Sequence, residues 1–86
     1  MNTDEKIMLL LNDFFRKKGF EFDDIESLDL IDDLVMDSLT FVSIIVEIEN
    51  MFDIVIEDEY LDMSIFRNVR NIVNIIELHQ EKEKNE

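Results

Sequence analysis

Three stretches of the chain carry apolar residues at helical intervals, and the segments between them do not. Ile7, Leu11 and Phe14 recur over residues 3–17, with Leu10 and Phe15 widening the stripe. That spacing predicts an amphipathic helix. Thr3 or Asp4 is expected to cap it, acids occupy its first turn, Arg16, Lys17 and Lys18 favour its C-terminus, and Gly19 can end it. Residues 38–52 form the second stretch, capped by Asp37 or Ser38 and uninterrupted by Gly or Pro. Asn68 caps the third, in which Val69, Ile72, Val73 and Ile76 make an i, i+3, i+4, i+7 stripe. That helix passes into an all-polar segment, residues 81–86, expected to fray, so the domain itself is residues 1–80. Residues 19–37 hold Phe20, Phe22, Ile25, Leu28, Leu30, Ile31 and Leu34 among acids without a sustained period. This reads as a long loop pinned to a core by single apolar anchors, and loops of that length are usually functional. Residues 53–56 make a short apolar connector, and residues 57–63 have room for one or two short turns. The expected fold is all-α: a small four-helix bundle, three main helices plus one short one, with a long first loop.

The central helix carries two apolar faces. At 100° per residue, Phe41, Ile44, Ile45, Ile48 and Phe52 share an arc of roughly 100°, the core face. Leu39, Val42, Val46 and Glu49 share a second arc, with Ser38 at its edge, and Thr40 and Glu47 occupy the remaining side. One helix of a domain this small cannot easily bury both faces. Leu39, Val42 and Val46 are therefore expected to be at least partly exposed, which marks a partner-binding surface. The alternative is that the long loop covers them.

Composition excludes several classes. Eighty-six residues, 47% of them hydrophobic, suit one domain with one core. The longest apolar run, residues 7–11, falls far short of the ~20 residues a membrane helix needs. Asp4 and Glu5 precede it where a signal peptide would be basic, so a cytoplasmic protein is expected. Without Cys there is no disulfide or thiolate chemistry in the chain, and with one Gly there is no phosphate-cradling loop. The net charge is −14, which repels nucleic acid. Residues 19–66 contain fifteen acids and not one Lys or Arg, whereas the two ends carry eight bases against seven acids. Such a one-signed field steers a basic partner; its bland alternative is solubility.

Asp37-Ser38-Leu39 at a helix start, after an acidic loop ending Asp32-Asp33-Leu34, resembles the attachment site of acyl and peptidyl carrier proteins. The likeness continues through Val42, Ile44, the run Val46-Glu47-Ile48-Glu49, Phe52-Asp53, the run Ile56-Glu57-Asp58-Glu59 and Asn68-Val69, and so covers nearly the whole chain. The tripeptide alone is a weak signal; with the helix pattern, length and acidity it becomes a specific one. The resemblance implies a carrier rather than an enzyme. A phosphopantetheinyl transferase would move 4′-phosphopantetheine from coenzyme A onto Ser38, next to Asp37. The arm's thiol would hold acyl or aminoacyl groups, loaded by a ligase or adenylation enzyme and passed to downstream enzymes. Leu39, Val42, Val46, Glu49 and Met36 would meet those partners, and the carrier would be a monomer without a metal.

The chain departs from the family at several positions. Val35-Met36 stand where the family commonly has a Gly or small residue, and Met36 is read either as a partner contact or as a lid over the core. Glu57 replaces a proline, and Ser43 stands where fatty-acid-synthesis carriers usually bear a glutamate. This favours a discrete carrier in nonribosomal peptide, polyketide or related assembly over a housekeeping fatty acid carrier, with a D-alanyl carrier as a further alternative. A cofactor-free acidic interaction module, or an acidic mimic competing for a nucleic-acid site, is the alternative from another class. His79, the lone His, reads as a cation in the last helical turn rather than a catalytic group. Asp23-Asp24 and Asp32-Asp33 lack the spacing of a calcium loop. Met8, Met36, Met51 and Met63 read as core filler.

Overall fold

The structure, a computed structural model, describes residues 1–21 and 23–84. Among these the chain is all-helical, with no strand: α1 (Thr3–Lys17), α2 (Ser38–Phe52) and α3 (Val69–Lys84), joined by loops that hold 3-10 turns at Ile25–Ser27 and Asp58–Tyr60. The fourth, short helix is thus a single turn. Phe22, one of the expected loop anchors, lies outside the described residues, as do residues 85 and 86. Within the segment expected to fray, residues 81–84 continue α3.

Each helix end has a local cause. Asn2, not Thr3 or Asp4, caps α1: its Oδ1 accepts from the Glu5 N–H at 2.9 Å. Gly19, at φ 95°, ends α1, and beyond it the Phe20 N–H returns to the Phe15 carbonyl at 3.0 Å. This is the left-handed termination that glycine adopts most easily. Asp53, at φ 52°, ends α2 in the same way, with the Ile54 N–H on the Glu49 carbonyl at 3.3 Å. Asn68 caps α3 as expected, its Oδ1 accepting from the Asn71 N–H at 2.8 Å.

α1 packs against both α2 and α3, and the Ile25–Ser27 turn closes over α1 and α3. Ile7, Leu11 and Phe15 of α1 meet Ile44 and Ile48 of α2 and Ile72, Val73 and Ile76 of α3 in one buried cluster. The loops contribute to it through Ile25, Leu30, Leu34, Met36, Ile54, Ile56 and Phe66. Phe41 and Phe66 meet edge to face, with centroids 5.4 Å apart. The first loop is held from outside as well. The Leu30 N–H donates to the Arg67 carbonyl at 2.6 Å, and Arg67 Nε donates to Asp29 Oδ2 at 2.8 Å. The second connector is fixed by two side chains: Glu49 Oε2 accepts from the Ile56 N–H (2.9 Å), and His79 Nε2 from the Glu57 N–H (3.0 Å). The loop before α2 is therefore tied to Arg67, just ahead of α3, and the connector after α2 is tied to side chains of α2 and α3.

Candidate functional site

The start of α2 is built by Asp37. Its carboxylate caps the helix, Oδ1 accepting from the Thr40 N–H at 2.8 Å, and its carbonyl accepts the Phe41 N–H at 2.9 Å. Hydrogen bonding from Thr40 holds the carboxyl below the usual carboxylate range, and the charge of Lys18 acts in the same direction. With Asp37 as cap, Ser38 is the first helical residue. Ser38 is exposed, and its hydroxyl makes no hydrogen bond among the described residues. The N–H groups of Ser38 and Leu39, first in the helix, have no intrahelical partner either. A free hydroxyl and two free donors thus stand together at the positive end of a 15-residue helix.

The second face of α2 is uncovered. Leu39, Val42 and Val46 are 78%, 56% and 48% exposed, while Phe41, Ile44, Ile45 and Ile48 are buried. The long loop therefore does not cover the strip. Its Ile25–Ser27 turn packs on α1 and α3 instead. Ser43, between the two faces, turns its hydroxyl back to the Leu39 carbonyl at 3.0 Å.

Two residues of the expected partner surface have other work. Met36 is buried in the core cluster, so it is the lid over the core and not a surface contact. Glu49 is half-buried, and its carboxylate is engaged with the Ile56 N–H. Val35, which sequence reasoning singled out only as a departure in the loop, is the exposed apolar residue beside Met36.

His79 does not stand at the end of its helix. α3 continues five residues past it, and the side chain is only 3% exposed. Because the Glu57 N–H can only donate, Nε2 must accept. Nδ1, 2.8 Å from the Ile75 carbonyl, is then the nitrogen placed to donate. Its ring packs edge-on to Tyr60. Lys82 donates to both carboxylate oxygens of Glu57, at 3.0 and 3.1 Å, so the same connector is clamped from two positions on α3. That ion pair lowers the Glu57 carboxyl and raises the Lys82 ammonium from their ordinary values. A single His one helical turn after an apolar stripe gave no sign of this role.

No group of His, Asp or Glu among the described residues is arranged to hold a metal ion, and no helix among them is long and apolar enough to cross a membrane. No protein-family model matches the chain, and neither a curated protein nor a solved structure is significantly similar to it.

Proposed function

We propose that the protein is a carrier, modified at Ser38 with 4′-phosphopantetheine, that delivers acyl or aminoacyl groups to partner enzymes and catalyses no reaction itself. The observation that carries this reading is the exposed Ser38 hydroxyl, free of any hydrogen bond because the neighbouring Asp37 serves as cap. In the attachment step, Ser38 Oγ would attack the β-phosphorus of coenzyme A. An O–P bond forms, the bond to the departing 3′,5′-ADP breaks, and the hydroxyl proton passes to a base on the transferase. The one histidine of this chain is not that base, because it is engaged with Glu57 and Ile75. The residues present fit the group. The free N–H groups of Ser38 and Leu39 and the helix dipole favour a phosphodiester at this position. Once attached, the arm would supply the terminal thiol that the chain lacks and carry its cargo as a thioester.

Leu39, Val42 and Val46 would form the apolar centre of the docking surface. The acids of residues 19–66 would draw basic enzymes toward it. The apolar Leu39–Val42–Val46 strip, with Ser43 in place of an acid, favours a discrete carrier of thiotemplated assembly over a housekeeping fatty acid carrier. Incubation with coenzyme A and a promiscuous phosphopantetheinyl transferase, read by intact mass, tests the proposal. A single arm added to the wild type and none to Ser38→Ala is the expected result. A wild type that stays unmodified would leave the cofactor-free docking module as the better reading.

A further inference from the structure

Apart from Gly19, two described residues hold a positive φ: Asp53 at 52° and Val35 at 50°. Asp53 closes α2, and aspartate tolerates that conformation. Valine does not: a β-branched side chain in the left-handed region is an outlier. The backbone itself has a reason to be there. The Asp33 N–H donates to the Asp29 carbonyl at 2.8 Å, completing one helical turn, and the Met36 N–H then returns to the Leu30 carbonyl at 3.3 Å. The left-handed residue reverses the chain between them, so that Leu34 and Met36 both enter the core. Glycine would make that reversal without strain. Val35 adds nothing to the packing, since it is 74% exposed. The fold accounts for the backbone conformation and not for the side chain.

Val35 lies three residues before Ser38, so their Cα atoms are within about 11 Å of each other by the reach of the chain. The next exposed apolar residue is Leu39, followed by Val42 and Val46. Along the chain, Val35 thus extends the series of exposed apolar residues back past the serine into the loop, with the exposed acids Asp32, Asp33 and Asp37 as its near neighbours in sequence. No Lys or Arg occurs anywhere in residues 19–66.

We propose that Val35 is a docking contact, an isopropyl group held outward beside Ser38 for a partner enzyme whose cleft is apolar and rimmed by basic residues. The proposal rests on reading Ser38 as the attachment site. Backbone strain of this kind persists where function uses it. The strip carries the apolar half of the contact and the acids carry the charged half.

Steady-state loading of the full chain by a phosphopantetheinyl transferase, followed by intact mass, separates the possibilities. Val35→Gly removes the strain and the side chain. Val35→Ala keeps the left-handed strain and removes two methyl groups, and Val35→Ile keeps an apolar branch. Gly and Ala are each expected to raise KM roughly tenfold, the scale of losing a methylene-sized apolar contact in a pocket, with kcat little changed. Ile should behave as wild type, and the melting temperature of Val35→Gly should not fall. If Gly and Ala both load with wild-type KM, or if Gly alone differs, the side chain is not a contact and the proposal fails. A wild type that accepts no arm overturns the Ser38 reading together with this one; a loaded wild type with indifferent Val35 variants overturns this one alone.

Discussion

Replacing Ser38 by alanine removes a hydroxyl that makes no hydrogen bond to the protein, and the cap of α2 is untouched. The sequence left the cap open between Asp37 and Ser38, and the structure assigns it to Asp37 alone. Ser38→Ala should therefore abolish arm attachment while leaving the melting temperature within error of wild type. Asp37→Ala should instead destabilise the fold by ~1 kcal/mol, the usual cost of a lost N-cap. Paired denaturation and loading measurements distinguish the two roles. A Ser38→Ala variant as destabilised as Asp37→Ala would mean that the hydroxyl is structural, and a variant that still gains the arm would mean that another serine takes it. His79 offers a contrast at the same scale. His79→Phe keeps an aromatic ring but removes the acceptor for the Glu57 N–H and the donor to Ile75. A loss of ~1–3 kcal/mol is expected, the range for a buried polar group deprived of its partner. A variant as stable as wild type in urea would show that water replaces the ring nitrogen without penalty.

At the scale of the helix, α2 presents opposite faces to core and solvent, and substitution should separate them. Val42→Asp or Val46→Asp should leave stability nearly unchanged, because both side chains already meet water, yet impair docking of the transferase. Ile45→Ala or Ile48→Ala should lose ~2–5 kcal/mol, the range for truncating buried aliphatic side chains. Thermal melts of the four variants alongside their loading rates test this, and four equally unfolded variants would refute it. Both faces were legible in the sequence because a helix with fixed periodicity projects its side chains at known angles. The three helices and the Gly19 and Asn68 signals were legible for the same local reason. What was not legible depended on contacts between distant segments. Nothing near His79 says that it reaches Glu57, twenty-two residues away, or that Glu49 reaches Ile56. Nor could spacing decide whether Met36 or Val35 turned inward, since that follows from one left-handed residue in an aperiodic loop. The candidate serine was found by pattern; the freedom of its hydroxyl required the fold.

Across the molecule, the bases sit at the ends of the chain and the acids in the middle, and folding must bring the acids together. Few of them find a partner. Of the fifteen acids in residues 19–66, three form an ion pair with a base among the described residues: Asp29 and Asp32 with Arg67, and Glu57 with Lys82. Lys17 pairs instead with Asp13, its neighbour on α1. The remaining central acids repel one another in the compact state and spread apart when the chain unfolds, so the repulsion opposes folding. Salt shortens the Debye length from ~30 Å at 0.01 M to ~8 Å at 0.15 M, which weakens that repulsion more than it weakens three close ion pairs. The melting temperature should therefore rise as NaCl is raised over this range, and rise more steeply with millimolar magnesium or calcium. The same charges would speed encounter with the proposed basic partner, and that attraction would be screened by the same ions. Association with a basic transferase, followed by stopped flow, should slow along the same salt series in which the melting temperature climbs. The two trends have one cause and opposite signs because the field opposes folding and favours encounter. A melting temperature flat from 0.01 to 0.15 M would show that Arg67 and Lys82 already offset the acidic centre, and electrostatic steering would lose its basis.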